Sequence, residues 1–170
     1  MLKIKLFLTL LLLFLIAGCS SRSGTKIEGQ AFPYTKFTML NASTRILKEW
    51  EGQPVVIMFW SLKCPVCERA ISRLNEEVRP LVKHSDIIFI AVNLDSVEEL
   101  SLVEQRTKNP EWKWFYHAFS GNEGLDEAFV TFKGSGTPFF VLVDRAGYVK
   151  KTGYSVSIVR DFAEEQIKLN

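Results

Sequence analysis

The stretch FWSLKCPVCERA, residues 59–70, decides how the rest of the chain is read. It ends an unbroken apolar run, VVIMFW over residues 55–60, and opens a segment whose apolar residues fall at 66, 70, 71, 74, 78, 81 and 82. A run with no polar interruption fits a strand covered on both faces, and the second spacing is that of an amphipathic helix. Cys64 and Cys67 therefore lie at a strand-to-helix turn, with Pro65 suited to the first helical position, where a missing N–H is harmless. Pro80 is expected to kink or end that helix.

This position carries chemistry. A helix N-terminus offers unpaired N–H groups and the positive end of the macrodipole, so a thiolate at Cys64 is favoured over a thiol. Lys63 adds a positive charge next door. Cys67, one turn into the helix, can attack a mixed disulfide at Cys64 and release the partner. On this reading Cys64 is the exposed nucleophile and Cys67 the buried resolving thiol. A structural disulfide is the weaker alternative, because stabilisation grows with loop length and this loop is almost none. A zinc site would need four ligands and would have to recruit His84 and His117 from different elements. The expectation is a redox pair that works without metal or cofactor.

Working outward, Lys3 and Lys5 precede an apolar run from Leu6 to Ile16, followed by Ala17, Gly18 and Cys19. This pattern reads as a secretory signal, too short for the ~20 apolar residues of a membrane span. Ile16-Ala17-Gly18-Cys19 resembles a bacterial lipobox, which implies cleavage before Cys19 and acylation of that residue. Several acyl chains anchor firmly, since each buried methylene contributes ~0.8 kcal/mol. Of the three cysteines, lipid then takes one, and Cys64 and Cys67 remain as an even pair in an exported, oxidising compartment. The organisation expected is a signal peptide over 1–18, a lipidated cysteine and flexible polar tether over 19–30, and one folded domain over 31–170. The net charge of +2 is too weak, and its cations too dispersed, to argue for nucleic acid.

The remaining elements alternate. Lys36 to Leu40 and Arg45 to Leu47 are expected to form a hairpin around Asn41-Ala42-Ser43. Ile87 to Asn93 reads as a buried strand, Ser96 to Lys108 as a helix capped by Ser96, Trp114 to Phe119 as a strand and Leu125 to Phe132 as a short helix. Phe139 to Val143 turns through Asp144-Arg145-Ala146-Gly147 into Tyr148 to Thr152, and Ser155 to Leu169 closes as an amphipathic helix. The sum is an α/β domain with a mixed sheet. The aromatic group Trp112, Trp114, Phe115 and Tyr116 is read as core.

Phe59-Trp60, then Cys64-Pro65-Val66-Cys67, and much later Thr137-Pro138 before an apolar strand, resemble the thioredoxin superfamily. The lipobox, the N-terminal hairpin and the Ser96 to Phe119 insertion resemble its membrane-anchored TlpA-like branch. The resemblance implies a thioredoxin-like fold with helices on both faces of the sheet, and an extracytoplasmic thiol-disulfide oxidoreductase, a reductase by family. It implies that Pro138 is a cis-proline facing the cysteine pair, that Thr137 pairs through its backbone with substrate, and that Trp60 and Lys63 belong to the substrate side, Trp60 being also a family packing position. Partners so implied are protein thiols and disulfides of the cell envelope, a transmembrane electron donor, the membrane through the lipid at Cys19, and cytochrome c maturation as a setting, with the protein itself a monomer.

The departures bear on mechanism. Relatives carry a carboxylate six residues before or after the first cysteine; here those positions are Met58 and Ala70, so Cys67 must rely on water, the helix terminus or another carboxylate, of which Glu68 is poorly directed. A thiol peroxidase of peroxiredoxin type is an alternative, with Ser61 matching its pattern and Ile57 standing where that pattern has proline. A copper-binding module is another, although its usual spacing is CxxxC.

Overall fold

The computed structural model describes residues 27–122 and 124–169, so the expected signal peptide, the lipidated Cys19 and most of the tether lie outside the described residues. A five-stranded sheet organises the rest, built from β3 (Val55–Trp60), β4 (Ile88–Ser96), β5 (Tyr116–Gly121), β6 (Phe139–Val143) and β7 (Val149–Gly153) in the order β5-β4-β3-β6-β7. β3 runs parallel to β4, and β4 to β5, while β6 is antiparallel to both β3 and β7. A separate antiparallel pair, β1 (Lys36–Thr38) and β2 (Thr44–Ile46), leans on the β5 edge, where Leu40 N–H donates to the His117 carbonyl.

The apolar run of β3 has no polar interruption because both faces of the sheet are covered. Val56, Met58 and Trp60 point into one core, closed by α1 (Pro65–Arg73), α2 (Leu100–Thr107) and α4 (Val156–Lys168) through Ile71, Val103, Val159 and Phe162. Val55, Ile57 and Phe59 point into the other, closed by α3 (Glu127–Thr131) and the β1 hairpin through Phe129 and Phe37. Period-two alternation along one strand thus feeds two cores. Among the described residues no helix is long and apolar enough to cross a membrane.

Several expected boundaries shift. Pro80 does not stop the first helix at once, but the helix is irregular before it and ends two residues after it: a π-helical turn over Leu74–Val78 precedes a last α-turn, Arg79–Val82, with Arg79 N–H donating to the Leu74 carbonyl. Pro80 lacks an N–H and crowds the preceding turn, and widening that turn lets the helix pass it. β4 extends to Ser96, three residues beyond expectation, because Asn93 and Asp95 find polar partners within the fold. The following helix begins only at Leu100, after a 3₁₀ turn at Val97–Glu99. β1 is shorter than expected, β2 sits one residue earlier, β5 and β7 sit slightly later, and α3 begins at Glu127 behind Asp126, whose side chain accepts from Phe129 N–H. Ser155 caps α4 by accepting from Ser157 N–H.

The aromatic group divides. Trp112 and Phe115 are buried, Trp114 is half-buried and Tyr116 is exposed. His117 sits beside them with Nε2 2.9 Å from the Trp112 carbonyl, and burial pushes its pKa down while that hydrogen bond opposes the shift. A histidine with a folded pKa below its unfolded one binds its proton later in the folded state. Stability is therefore unaffected well above pH ~6.5 and falls as the pH drops through it, by at most ~1.4 kcal/mol per pH unit for one proton. His117→Asn is expected to be relatively more stable than wild type at pH 5 than at pH 8 in paired denaturant titrations, and an unchanged difference between the two would contradict this.

Candidate active site

β3 delivers the chain into a short loop, Ser61-Leu62-Lys63, and Cys64 then serves as N-cap of α1 with extended backbone angles. Its sulfur accepts a hydrogen bond from Cys67 N–H at 3.1 Å, so one of the helix's orphan donors points at the reactive atom. Pro65 fills the first turn, where its missing N–H leaves nothing unsatisfied. Cys64 and Cys67 are joined as a disulfide, with Cα atoms 5.2 Å apart. Cys64 keeps 8% of its surface exposed and Cys67 none, which gives the two sulfurs unequal access to anything outside.

Across from the pair, the Thr137–Pro138 peptide is cis and opens β6. The Thr137 carbonyl oxygen lies 3.3 Å from Cys64 Sγ; a disulfide sulfur has no proton to give, but a reduced Cys64 thiol can donate to it. Residues separated by 73 positions thus meet because β3 and β6 are antiparallel neighbours, pairing Phe59 with Phe139 at this end of the sheet. Just before Thr137, the Gly134-Ser135-Gly136 loop is held by the Tyr154 hydroxyl, 2.8 Å from Ser135 Oγ.

Asp95, at the end of β4, is the residue that sequence reasoning missed. It is 7% exposed, and its carboxylate accepts from Ser61 Oγ at 2.5 Å, Leu62 N–H at 2.7 Å and Asn93 Nδ2 at 2.7 Å. The parallel register that sets Trp60 beside Asn93 brings it against the loop. An Asn-x-Asp pattern at a strand end, one strand away from a CxxC turn, is the signal that was available.

Lys63 is exposed as expected, yet its ammonium meets Glu99 Oε1 at 2.8 Å, so its charge is shared with a carboxylate instead of acting on Cys64 alone. Glu68 is turned away to Arg106 on α2, which removes it as a proton acceptor for Cys67. Two grooves meet at the Lys63–Glu99 pair. One, about 540 Å³, is lined by Ser61, Asp95, Ser135 and Thr137, and the other, about 470 Å³, by Leu62, Leu102, Gln105 and Arg106. A third cavity, about 300 Å³, lies at the opposite end of the sheet among Phe32, Trp50, Val55 and Arg145, away from the sulfurs.

Trp60 requires a correction. It is fully buried, its ring centroid 4.2 Å from that of Trp112, and it touches no open surface. A side chain on the inward face of β3 underpins the loop and cannot contact a substrate directly, so only Lys63, Thr137 and Pro138 of the expected substrate-side residues border the cysteines.

A family model, that of the AhpC/TSA family, matches residues 29–152. Among curated proteins none matches the chain by sequence. The fold is similar to the thioredoxin domain of a thiol-disulfide oxidoreductase from Bacteroides vulgatus, at 16% identity and a TM-score of 0.66 over 81% of this chain and 96% of that one. It is also similar to a thiol:disulfide interchange protein from Bacteroides sp., at 16% identity and a TM-score of 0.68 over 83% and 90%. A thiol-disulfide oxidoreductase from Bacteroides fragilis aligns at 12% identity and a TM-score of 0.68 over 80% and 98%. The fold is therefore thioredoxin-like.

Proposed function

Because the chain belongs to the AhpC/TSA family and folds as a thioredoxin-like domain, we propose that it is a thiol-disulfide oxidoreductase acting on protein disulfides through Cys64 and Cys67. The observation that carries this reading is the seat of the Cys64 sulfur, which caps a helix, accepts the Cys67 N–H and faces the Thr137 carbonyl. A thiolate there gains a charge-assisted hydrogen bond and the helix dipole, and it stands at the only partly open end of the pair.

In the reductive direction the Cys64 thiolate attacks a substrate disulfide, forming a Cys64–substrate disulfide and releasing the first substrate thiolate. Cys67 then gives up its proton and attacks Cys64 Sγ, closing the Cys64–Cys67 disulfide and releasing the second substrate thiolate. Two electrons pass to the substrate, and a dithiol donor must return them. Cys64–Cys67 as a disulfide is the oxidised end of this cycle. Reductase is the favoured direction: a lone Lys63 charge would stabilise the thiolate and push the couple toward oxidation, and Glu99 offsets that charge.

The setting we propose is extracytoplasmic, with the protein held to a membrane by lipid on Cys19, reduced by a transmembrane electron donor and serving substrates such as apocytochrome c. The motif at residues 16–19 supports the anchor. Exposed Leu102, lining one groove, and exposed Val66, between the two cysteines, offer apolar contact to a polypeptide substrate.

Cys67→Ala tests the reading, since removing the resolving thiol leaves the mixed disulfide with no internal exit. Covalent adducts that dissolve on reduction are expected to accumulate in cells producing this variant. The reading fails if none accumulate and the purified wild type neither reduces nor oxidises a model protein disulfide. Peroxide consumption above that of a free thiol would move the assignment to a peroxidase.

A further inference from the structure

The carboxylate relatives place six residues from the first cysteine is absent, Met58 and Ala70 being both buried and apolar, yet a buried carboxylate reaches the active-site loop from another strand. From the geometry we infer that Asp95 is the positioning residue of this active site: through Ser61 and Leu62 it fixes the loop that sets the Cys64 sulfur on the helix N-terminus. This rests on the proposed role of Cys64 as nucleophile.

The network leaves the loop little freedom. Asp95 Oδ2 accepts from Leu62 N–H and from Asn93 Nδ2, and Oδ1 accepts from the Ser61 hydroxyl. Ser61 Oγ in turn accepts from Lys63 N–H at 3.3 Å, and the Ser61 carbonyl from Cys64 N–H at 3.2 Å. Each backbone N–H from Leu62 through Cys64 is thus satisfied by Asp95 or by the serine it holds. Asp95 is itself oriented from behind, since its own N–H donates to Asn93 Oδ1 at 3.0 Å. The last residue so fixed is Cys64, whose sulfur must meet the Cys67 N–H for the thiolate to be stabilised. A carboxylate with three donors and only 7% of its surface exposed holds its neighbours more firmly than neutral partners can.

Asp95 acts on Cys64 in two ways that oppose each other in sign. As a nearby negative charge it disfavours a thiolate, so neutralising it would lower the Cys64 pKa. As the anchor of the loop it keeps the helix cap in place, so neutralising it raises that pKa. Asp95→Asn preserves volume but presents an amide NH₂ where donors already converge. It is expected to raise the Cys64 thiolate pKa by about one unit, which cuts the thiolate fraction about tenfold at a pH below the pKa. The remaining thiolate is more nucleophilic, with a Brønsted coefficient of ~0.4–0.5, so attack slows only about threefold there and recovers above the new pKa.

The measurement is the pH titration of thiolate absorbance in the reduced protein, which does not depend on any substrate, alongside the pH profile of disulfide reduction. Ser61→Ala, which keeps the Asp95 charge and cuts the same tie, is expected to shift the pKa in the same upward direction, and Ser61→Thr to restore it. A fall or no change in the Cys64 pKa in Ser61→Ala overturns the inference, as does a fall in Asp95→Asn. Loss of thermal stability alone, with both titrations unmoved, also overturns it by leaving Asp95 a purely structural role. Should the wild type lack exchange activity altogether, the proposed function fails while the titrations still decide the role of Asp95.

Discussion

Cys64→Ala is expected to abolish disulfide exchange, a loss on the order of a thousandfold or more, while Cys67→Ala retains the first half of the reaction. The two cysteines are chemically alike and three residues apart, so the asymmetry has to come from where the fold places them. Cys64 keeps a small exposed fraction, 8%, whereas Cys67, on the inner face of α1, is fully buried in the core that Met58 and Trp60 also enter. Once Cys64 is gone, the remaining sulfur has no path to an external disulfide and no capping N–H to favour its thiolate. With Cys67 gone, Cys64 still holds its place at the helix N-terminus and still attacks.

Three measurements separate the roles. Purified Cys64→Ala should fail to reduce a model protein disulfide above background. In the reduced wild type a bulky alkylating agent should modify Cys64 well before Cys67, and at a pH below the ~8.5 of a free thiol. In Cys67→Ala one mixed disulfide per chain should form, and it should map to Cys64. If Cys64→Ala keeps more than about a tenth of the activity, or if alkylation strikes Cys67 first, the nucleophile has been misassigned.

Much of this arrangement was legible in the sequence, for identifiable reasons. The run at 55–60 and the spacing after residue 66 are local patterns, and each names its element and its buried face without help from the rest of the chain. Ser155 and the turn at 144–147 are likewise local chemistry, the latter closed by Asp144 Oδ1 accepting from Ala146 and Tyr148 N–H, with Gly147 at φ +80°. What escaped depends on contacts between elements. The Asn93-x-Asp95 pattern marks a polar strand end, but that Asp95 faces Ser61 follows only from the parallel pairing of β3 with β4, and nothing near Lys63 announces Glu99. Pro80 marks in the sequence the place where a regular helix cannot continue, but whether the helix stops there or widens around it depends on packing further along, here on α4 against the π-turn through Arg160 and Glu77. Trp60 was visible as part of a motif, whereas its direction follows from the alternation of β3 and the covering of that face by Trp112.

That direction sets the second large effect. Trp60→Ala is expected to destabilise the domain by about 3–5 kcal/mol, the usual range for removing a large buried aromatic side chain. For a chain of this size each kcal/mol moves Tm by roughly 2–4 °C, so a fall of about 10–15 °C should appear in a thermal melt. The ring is fully buried against Trp112, and the aromatic contact adds about 0.5–1.5 kcal/mol beyond the area lost, which a Trp60–Trp112 double-mutant cycle can isolate. Trp60→Phe should be far milder. Its indole N–H is buried with no hydrogen-bond partner among the described residues, a burden of about 1–3 kcal/mol that phenylalanine does not carry, and this offsets part of the lost volume. The two substitutions together distinguish packing from recognition: a packing residue gives a low Tm for Trp60→Ala with near-normal KM for Trp60→Phe. A Tm within about 2 °C of wild type for Trp60→Ala, combined with a raised KM for a protein disulfide, would return Trp60 to the substrate side and contradict the burial that the fold assigns to it.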